Sequence, residues 1–133
     1  MELKAGDAIP AVIFPPITIE QLRAYAEASG DPNLIHLDEG AAKKFGLPGI
    51  IAHGMLSAAF IAERALRFAA ENALSSWKLH GLKTRFKAMT FLNEVISVGG
   101  SVKSLSDTEI VLDLEARNAA GDLKTSGLIR YRA

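Results

Sequence analysis

Two short segments contain the residues whose types and spacing could do chemistry. Ser29–His36 has the sequence SGDPNLIH and places the carboxylate of Asp31 five residues before the imidazole of His36. Ala52–Leu56 (AHGML) places Gly54 where a long apolar run begins. A carboxylate and an imidazole can exchange protons with water, and a helix N-terminus offers unpaired N–H groups to an oxyanion. Together these features predict the addition or removal of water next to a carbonyl group.

Composition argues against several other kinds of site. The chain has 133 residues, of which 49% are hydrophobic, so we expect one domain, residues 1–133, with a substantial core. Fifteen basic residues balance fifteen acidic ones, which predicts no nucleic-acid partner. The sequence has no cysteine, so thiolate nucleophiles and thiolate zinc sites are excluded. His36, His53 and His80 lie far apart in the sequence without a ligand spacing, so we expect no metal site.

Hydropathy and the first residues predict a cytoplasmic protein. The N-terminal sequence MELKAGDAIP lacks a basic segment followed by an apolar run, so we expect no signal peptide. The longest apolar segment, Met55–Ala62, is too short to span a bilayer. We therefore expect no membrane partner.

Helix signals flank both segments. A capping box at Thr18–Gln21 predicts a helix to about Ser29, and Gly30 would end it. Between residues 30 and 53 we expect a loop with one short helical stretch, Glu39–Phe45. Gly54 to about Asn72 is predicted as the principal helix; its first half is apolar on all sides, which is typical of a buried helix.

Alternating apolar and polar residues predict consecutive antiparallel strands between residues 77 and 132. One such strand spans Glu94–Leu105, with a bulge or bend expected at Gly99–Gly100. Asn118–Asp122 is predicted as a hairpin turn. The proline-containing residues 1–17 suit an edge strand. This order predicts an α+β fold, in which a curved antiparallel sheet wraps around a long helix.

The two segments resemble the signatures of the MaoC-like dehydratases, a hotdog-fold family that includes (R)-specific enoyl-CoA hydratases and (3R)-hydroxyacyl-ACP dehydratase subunits. The family motif, Gly-Asp-x-Asn-Pro-aliphatic-His, is represented by Gly30–His36, with Leu34 in place of the proline. The second signature is represented by Ile51–Leu56. The resemblance extends over nearly the whole chain and implies a hotdog fold.

The resemblance also implies a reaction and a set of site residues. The reaction would interconvert trans-2-enoyl and (3R)-hydroxyacyl thioesters of coenzyme A or acyl carrier protein, without a cofactor. Asp31 and His36 would activate one water, and which of them takes the first proton stays open. Gly54 would bind the thioester oxygen, while Asn33 and His53 would support the loop. A serine that touches the site in some relatives aligns with Ala59, with Ser57 nearby.

Several alternatives remain at this stage. A hotdog acyl-thioesterase would place its acid on the central helix, where Glu63 lies, and a non-catalytic acyl-binding partner subunit would need no acid/base pair. A homodimer or a dimer of dimers is expected, because a single hotdog sheet has an open edge. Seven basic residues could contact substrate phosphates or merely face solvent: Lys43, Lys44, Arg64, Arg67, Lys83, Arg85 and Lys87.

Overall fold

The computed structural model describes residues 2–133, which form five strands and three α-helices. A short 3₁₀ turn, Leu34–His36, which the sequence did not predict, precedes the second helix. In chain order the elements are β1 (Ala8–Ile13), α1 (Ile19–Ser29), α2 (Glu39–Lys44), α3 (Gly54–Glu71), β2 (Lys78–Phe86), β3 (Ser97–Leu105), β4 (Glu109–Arg117) and β5 (Leu123–Arg132).

All five strands form one antiparallel sheet in the order β1-β3-β4-β5-β2, and α3 packs against it. Alternate residues of the central strands point towards α3, as the period of two requires. The core consists of these residues and the apolar side of α3, and includes Ile61, Ala65, Val98, Leu112, Leu114 and Ile129. The α+β architecture with a curved antiparallel sheet around a central helix is confirmed.

The helix boundaries agree with the sequence signals. Thr18 accepts a hydrogen bond from the N–H of Gln21 at 3.1 Å, and Gly30 ends α1 in the left-handed region with φ 72°. Asp38 accepts from the N–H of Ala41 at 2.8 Å and so caps α2. These caps fix where α1 begins and ends and where α2 begins, and therefore where the loop after α1 starts.

An irregularity expected near Gly99–Gly100 occurs in the pairing with the neighbouring strand: the register of β1 with β3 shifts between Ile9 and Val12, which pair with Gly100 and Val98. A second shift, in the pairing of β3 with β4, lies between Val102 and Ser104. The two glycines are required by close packing, because a Cβ on Gly100 would collide with the backbone carbonyl of Asp113 on β4. A Cβ on Gly99 would lie 2.8 Å from the Cα of Ala11 on β1.

The two edge strands are β1 and β2. β1 contains Pro10, and its position confirms the predicted edge strand. On β2, the apolar residues Leu82 and Phe86 are 40% and 52% exposed, because no neighbouring strand covers this edge. Within residues 2–133, none of the helices combines the length and the apolar character that crossing a membrane requires.

Candidate active site

The loop that follows α1 holds Asp31 by backbone and side-chain hydrogen bonds. The N–H of Asp31 donates to the carbonyl of Ala26 at 3.1 Å. The Oδ1 of Asp31 accepts from the N–H of Asn33 at 3.3 Å, and the Oδ1 of Asn33 accepts from the N–H of Ile35 at 3.2 Å. Asn33 therefore caps the 3₁₀ turn that leads to His36, which is a supporting role of the kind predicted for it.

His36 is held in one orientation by a hydrogen bond to the backbone. Its Nδ1 lies 2.8 Å from the carbonyl oxygen of Ile51. A carbonyl oxygen can only accept, so Nδ1 bears the proton, and Nε2 of the neutral ring is left as an acceptor. That Nε2 lies 3.8 Å from Oδ2 of Asp31, with the His36 side chain 9% exposed and that of Asp31 52% exposed. Folding thus brings the predicted pair together near the protein surface, with His36 buried and Asp31 facing solvent.

His53 lies directly beneath this pair. It is 2% exposed, and its Nε2 is 3.2 Å from the backbone oxygen of Asp31, to which it must donate. Its ring stacks on that of His36, with centroids 3.8 Å apart and planes inclined by 24°. The ring of Tyr25 lies on another side, 4.9 Å away. His53 therefore ties the Asp31 loop to the beginning of α3, since it is also the N-cap residue of that helix.

His36 and His53 lie far apart in the sequence but are neighbours in the structure, so sequence spacing alone did not exclude a shared site. Folding brings donor atoms of Asp31, His36 and His53 within 4.8 Å of one another, whereas His80 is exposed on β2. A metal binds in the plane of each imidazole at about 2.1 Å. Two stacked rings inclined by only 24° do not direct their lone pairs at one such point. The geometry therefore favours a stacked pair over shared metal ligation.

The N-terminus of α3 lies next to the histidine pair. The N–H of Leu56 donates to the carbonyl of His53 at 3.0 Å, but within residues 2–133 the N–H groups of Gly54 and Met55 have no protein acceptor. The ring of Phe86 lies over Gly54, where a Cβ would come within 3.4 Å of it. Unpaired N–H groups at the beginning of an 18-residue helix attract negative charge.

Two cavities meet at Gly54 and Phe86. One, of about 340 Å³, is lined by Asp31, His53 and Tyr25 among others. The other, of about 330 Å³, contains His36 and runs towards the segment after β2. A larger cavity of about 520 Å³ beside the Ile51–Phe91 bridge contains neither Asp31 nor His36. The acid/base pair therefore lies between two recesses that a substrate could occupy.

Of the two helix positions considered for a serine, Ser57 is the one beside the cavity of His36. It is buried and lines that cavity, whereas Ala59 is exposed and does not line it. Ser57 follows Gly54 by three residues, which places both on one side of a helix, so helical periodicity alone could have identified it. Thr90 and Thr125 are two further buried polar residues of this cavity that sequence reasoning missed.

A buried ion pair shapes the other wall of the cavity. Nζ of Lys124 lies 3.2 Å from Oε1 of Glu94 and donates to the carbonyl of Met89 at 2.8 Å. Burial by itself raises the pKa of the Glu94 carboxyl, but hydrogen bonds from Phe91 N–H and Asn118, together with the ammonium of Lys124, outweigh it. The net result is a pKa below the ordinary 4.5. These contacts fix the segment that lines the cavity around Met89.

The carboxylates of α3 lie away from the cavities that contain Asp31 and His36. Glu63 pairs with Arg67 at 2.9 Å, and Glu71, a second carboxylate on α3, pairs with Arg64 at 3.2 Å. Arg64 is buried and also donates to the carbonyl of Pro10, so it joins α3 to β1. Neither α3 carboxylate is therefore placed as the acid of a thioesterase would need to be.

The fold and the site together define a class of protein. A five-stranded antiparallel sheet around one long helix is the hotdog architecture, and here the helix begins beside a stacked histidine pair and an aspartate. The family model described as a MaoC like domain matches residues 5–120. The chain belongs to this MaoC-like family of hydratases and dehydratases.

Known proteins of this kind resemble the chain in structure and sequence. The R-hydratase PhaJ1 of Pseudomonas aeruginosa superposes with a TM-score of 0.82 at 27% identity, over 99% of this chain and 83% of the other. The 3-hydroxyacyl-thioester dehydratase X of Mycobacterium tuberculosis is 51% identical over 45 residues, 34% of this chain and 16% of that protein. The fatty acid synthase beta subunit TOXC of Cochliobolus carbonum is 33% identical over 94 residues, 71% of this chain. This match spans only 4% of TOXC, so the chain corresponds to a small part of both curated relatives.

Proposed function

We propose that this protein interconverts trans-2-enoyl thioesters and (3R)-hydroxyacyl thioesters by adding or removing water. The observation on which this proposal depends is the 3.8 Å separation of Nε2 of His36 from Oδ2 of Asp31, beside the N-terminus of α3. Membership of the MaoC-like family and the similarity to an R-hydratase support the reaction and its stereochemistry.

The geometry suggests how the proton moves. The gap between Nε2 of His36 and Oδ2 of Asp31 exceeds a hydrogen bond, so one water can contact both groups from the side. In the hydration direction Nε2 takes one proton from this water while the oxygen bonds to C3 and keeps its second hydrogen as the new hydroxyl. Asp31 accepts a hydrogen bond from that hydroxyl and stabilises the imidazolium. The imidazolium then returns the proton to C2. Such an acid/base role contributes roughly 10²–10⁴ to the rate.

Attack at C3 places negative charge on the thioester oxygen as an enolate forms. The N–H of Gly54 supports the proposal as the group that binds this oxygen, because it has no protein acceptor and begins α3. Glycine lets the oxygen approach the backbone closely. Removing one such donor typically costs about 10²–10³ in turnover. When the enolate collapses, the C2–H bond forms and the charge on the oxygen disappears.

The acyl group of the substrate is carried by coenzyme A or an acyl carrier protein. The active form of the enzyme is proposed to be a homodimer or a dimer of dimers. Leu82 and Phe86 on the edge strand β2 and Met55 at the beginning of α3 are exposed apolar side chains beside the site. Pairing of two β2 edges would cover them and place the sites near the interface. Light scattering should give at least twice the 14.2 kDa mass of one chain. A monomeric mass at micromolar concentration would contradict this assembly.

Crotonyl-CoA provides the test of the reaction. Hydration removes the conjugated-enoyl absorbance without releasing thiol, and chiral analysis should find the (3R)-hydroxy product. Thiol release in step with substrate loss would show a thioesterase instead. No change in either signal, on this and on longer enoyl thioesters, would favour the non-catalytic acyl-binding subunit.

A further inference from the structure

One face of the sheet presents a row of basic side chains. On β2, Leu82 pairs with the core residue Ile129, and Phe86 lies against Gly54 of α3, so both are on the helix side of the sheet. Successive residues of a strand point to opposite faces. The residues between them, Lys83 and Arg85, therefore point away from α3, and Lys87 follows directly after the strand.

A fourth cation joins this row from another strand. Lys103 of β3 lines one open groove of about 310 Å³ together with Lys83, Arg85 and Lys87; we call it the basic groove. Its remaining lining is Asp113, Ser126, Gly127 and Leu128. All four cations are exposed, and in residues 2–133 none lies within ion-pair distance of a carboxylate. The chain as a whole has no net charge, so the groove is a local concentration of positive charge.

The basic groove is continuous with the proposed site. Lys87 lines both the groove and the cavity that contains His36. From Lys83 to Lys87 the chain extends about 13 Å, at ~3.3 Å per residue. A molecule lying along β2 would therefore end where the cavity begins. The positive charge of the groove can therefore attract the carrier to which the acyl chain is attached, while the reacting atoms lie in the cavity.

The form of the groove indicates what kind of anion it fits. Backbone N–H groups of a strand lie in the plane of the sheet, so this face offers only side chains and lacks the converging N–H groups of a phosphate cradle. Four long cations, at the β2 edge and on β3 with β4 and β5 between, match a broad acidic surface better than a single phosphate.

We infer that the basic groove docks the acidic surface of a carrier protein that presents the acyl thioester to Asp31 and His36. This inference rests on the proposed hydration reaction and names its carrier. The carrier lies along β2 on the outer face of the sheet, and its prosthetic arm enters the cavity past Lys87.

The test compares three crotonyl thioesters, on acyl carrier protein, on coenzyme A and on N-acetylcysteamine. The variant Lys83→Glu/Arg85→Glu/Lys103→Glu leaves Lys87 untouched because it lines the cavity. Electrostatic attraction raises association rates by 10–10³, so kcat/KM for the carrier-protein substrate should fall by at least about tenfold. The N-acetylcysteamine substrate, which has neither phosphate nor protein, should be hydrated at the wild-type rate. A milder variant, Lys83→Gln/Arg85→Gln, should give a smaller fall with the carrier-protein substrate alone.

The matched control is Lys4→Glu/Arg23→Glu/Lys44→Glu, which makes the same change of charge at exposed positions outside the groove. It should leave all three substrates unaffected. An unchanged kcat/KM for the carrier-protein substrate in the groove variant overturns the inference. An equal fall with crotonyl-CoA also overturns it, because the groove would then bind the phosphates of the nucleotide.

A direct titration separates failure of docking from failure of the reaction. Fluorescence anisotropy of labelled, unacylated carrier protein should show binding to the wild-type protein and at least about tenfold weaker binding to the groove variant. If the wild-type protein hydrates none of the three thioesters, the reaction is wrong, and this titration alone decides whether the groove docks a carrier. Absence of binding to the wild-type protein would contradict docking even if crotonyl-CoA is hydrated.

Discussion

The imidazole of His36 rests on the imidazole of His53, with ring centroids 3.8 Å apart. His36 is thereby held between the face of His53 and its hydrogen bond to the carbonyl of Ile51. His53 also donates to the backbone oxygen of Asp31, so one buried ring contacts both members of the acid/base pair. Its remaining nitrogen, Nδ1, is buried, and no group in the described part of the chain forms a hydrogen bond with it. We read His53 as a positioning residue that proton transfer does not use.

Two substitutions of His53 separate its contacts. His53→Phe keeps a ring beneath His36 but loses the donor to Asp31, whereas His53→Gln can keep the donor but loses the ring. Misplacement of Asp31 by about 1 Å can cost 10²-fold, so His53→Phe should lower kcat by roughly 10–10² with little change in KM. His53→Gln should retain more activity. Steady-state kinetics below the melting temperature of each variant provides the measurement. Wild-type kcat in the Phe variant, with only Tm lowered, would mean that His53 has a structural role alone.

Removal of either reacting group should stop most of the turnover. Asp31→Asn and His36→Ala should each lower kcat by about 10² or more, because one acid/base role is lost. The double variant should be much less than multiplicatively worse, since both groups act on the same water. Kinetics on crotonyl-CoA, with circular dichroism to check folding, measures both effects. If Asp31→Asn retained most of the activity, the assignment of Asp31 to water activation would be wrong.

The ion pair of Lys124 and Glu94 should make stability depend on pH in the acid range. The folded-state pKa of Glu94 lies below 4.5, so its contribution is complete above that value and is lost as the pH falls through the folded-state pKa. Glu94→Gln should therefore lower Tm at pH 7, and its difference from the wild type should shrink below pH 4.5. Lys124→Met should also lower Tm at pH 7, because it leaves the half-buried carboxylate of Glu94 without its cation. Thermal melts between pH 3 and 7 measure both; a constant difference for Glu94→Gln would contradict the assignment.

Tyr131 is a core residue with an unsatisfied hydroxyl. It is 2% exposed, its Oη has no hydrogen-bond partner among residues 2–133, and burial raises its pKa above 10.0. Tyr131→Phe removes the cost of desolvating that hydroxyl and should leave stability unchanged or raise it by about 1 kcal/mol. Urea unfolding at pH 7 gives the free energy. A loss of more than about 1 kcal/mol would show that the hydroxyl makes a stabilising contact.

Local sequence signals were sufficient to predict the main helices and strands and to identify candidate site residues. The capping residues Thr18 and Asp38 and the terminating Gly30 act through hydrogen bonds and dihedral angles within a few residues, so the sequence alone predicts the ends of α1 and the beginning of α2. The apolar first half of α3 and the period of two after residue 77 likewise predicted the buried helix and the antiparallel sheet. Local sequence also identified Asp31, His36 and Gly54 as the residues to examine.

Only tertiary contacts decided how these residues meet. His53 follows His36 by 17 positions and stacks on it because the loop returns to the beginning of α3, so linear spacing gave no sign of the pair. Gly99–Gly100 is occupied by glycine because strands β1 and β4 approach from either side, a crowding that no local pattern expresses. The same holds for Lys103, which joins the basic residues of β2 through the order of strands in the sheet. Sequence patterns report the dihedral angles and burial of each segment, whereas the neighbours of a side chain depend on the packing of segments far apart in the chain.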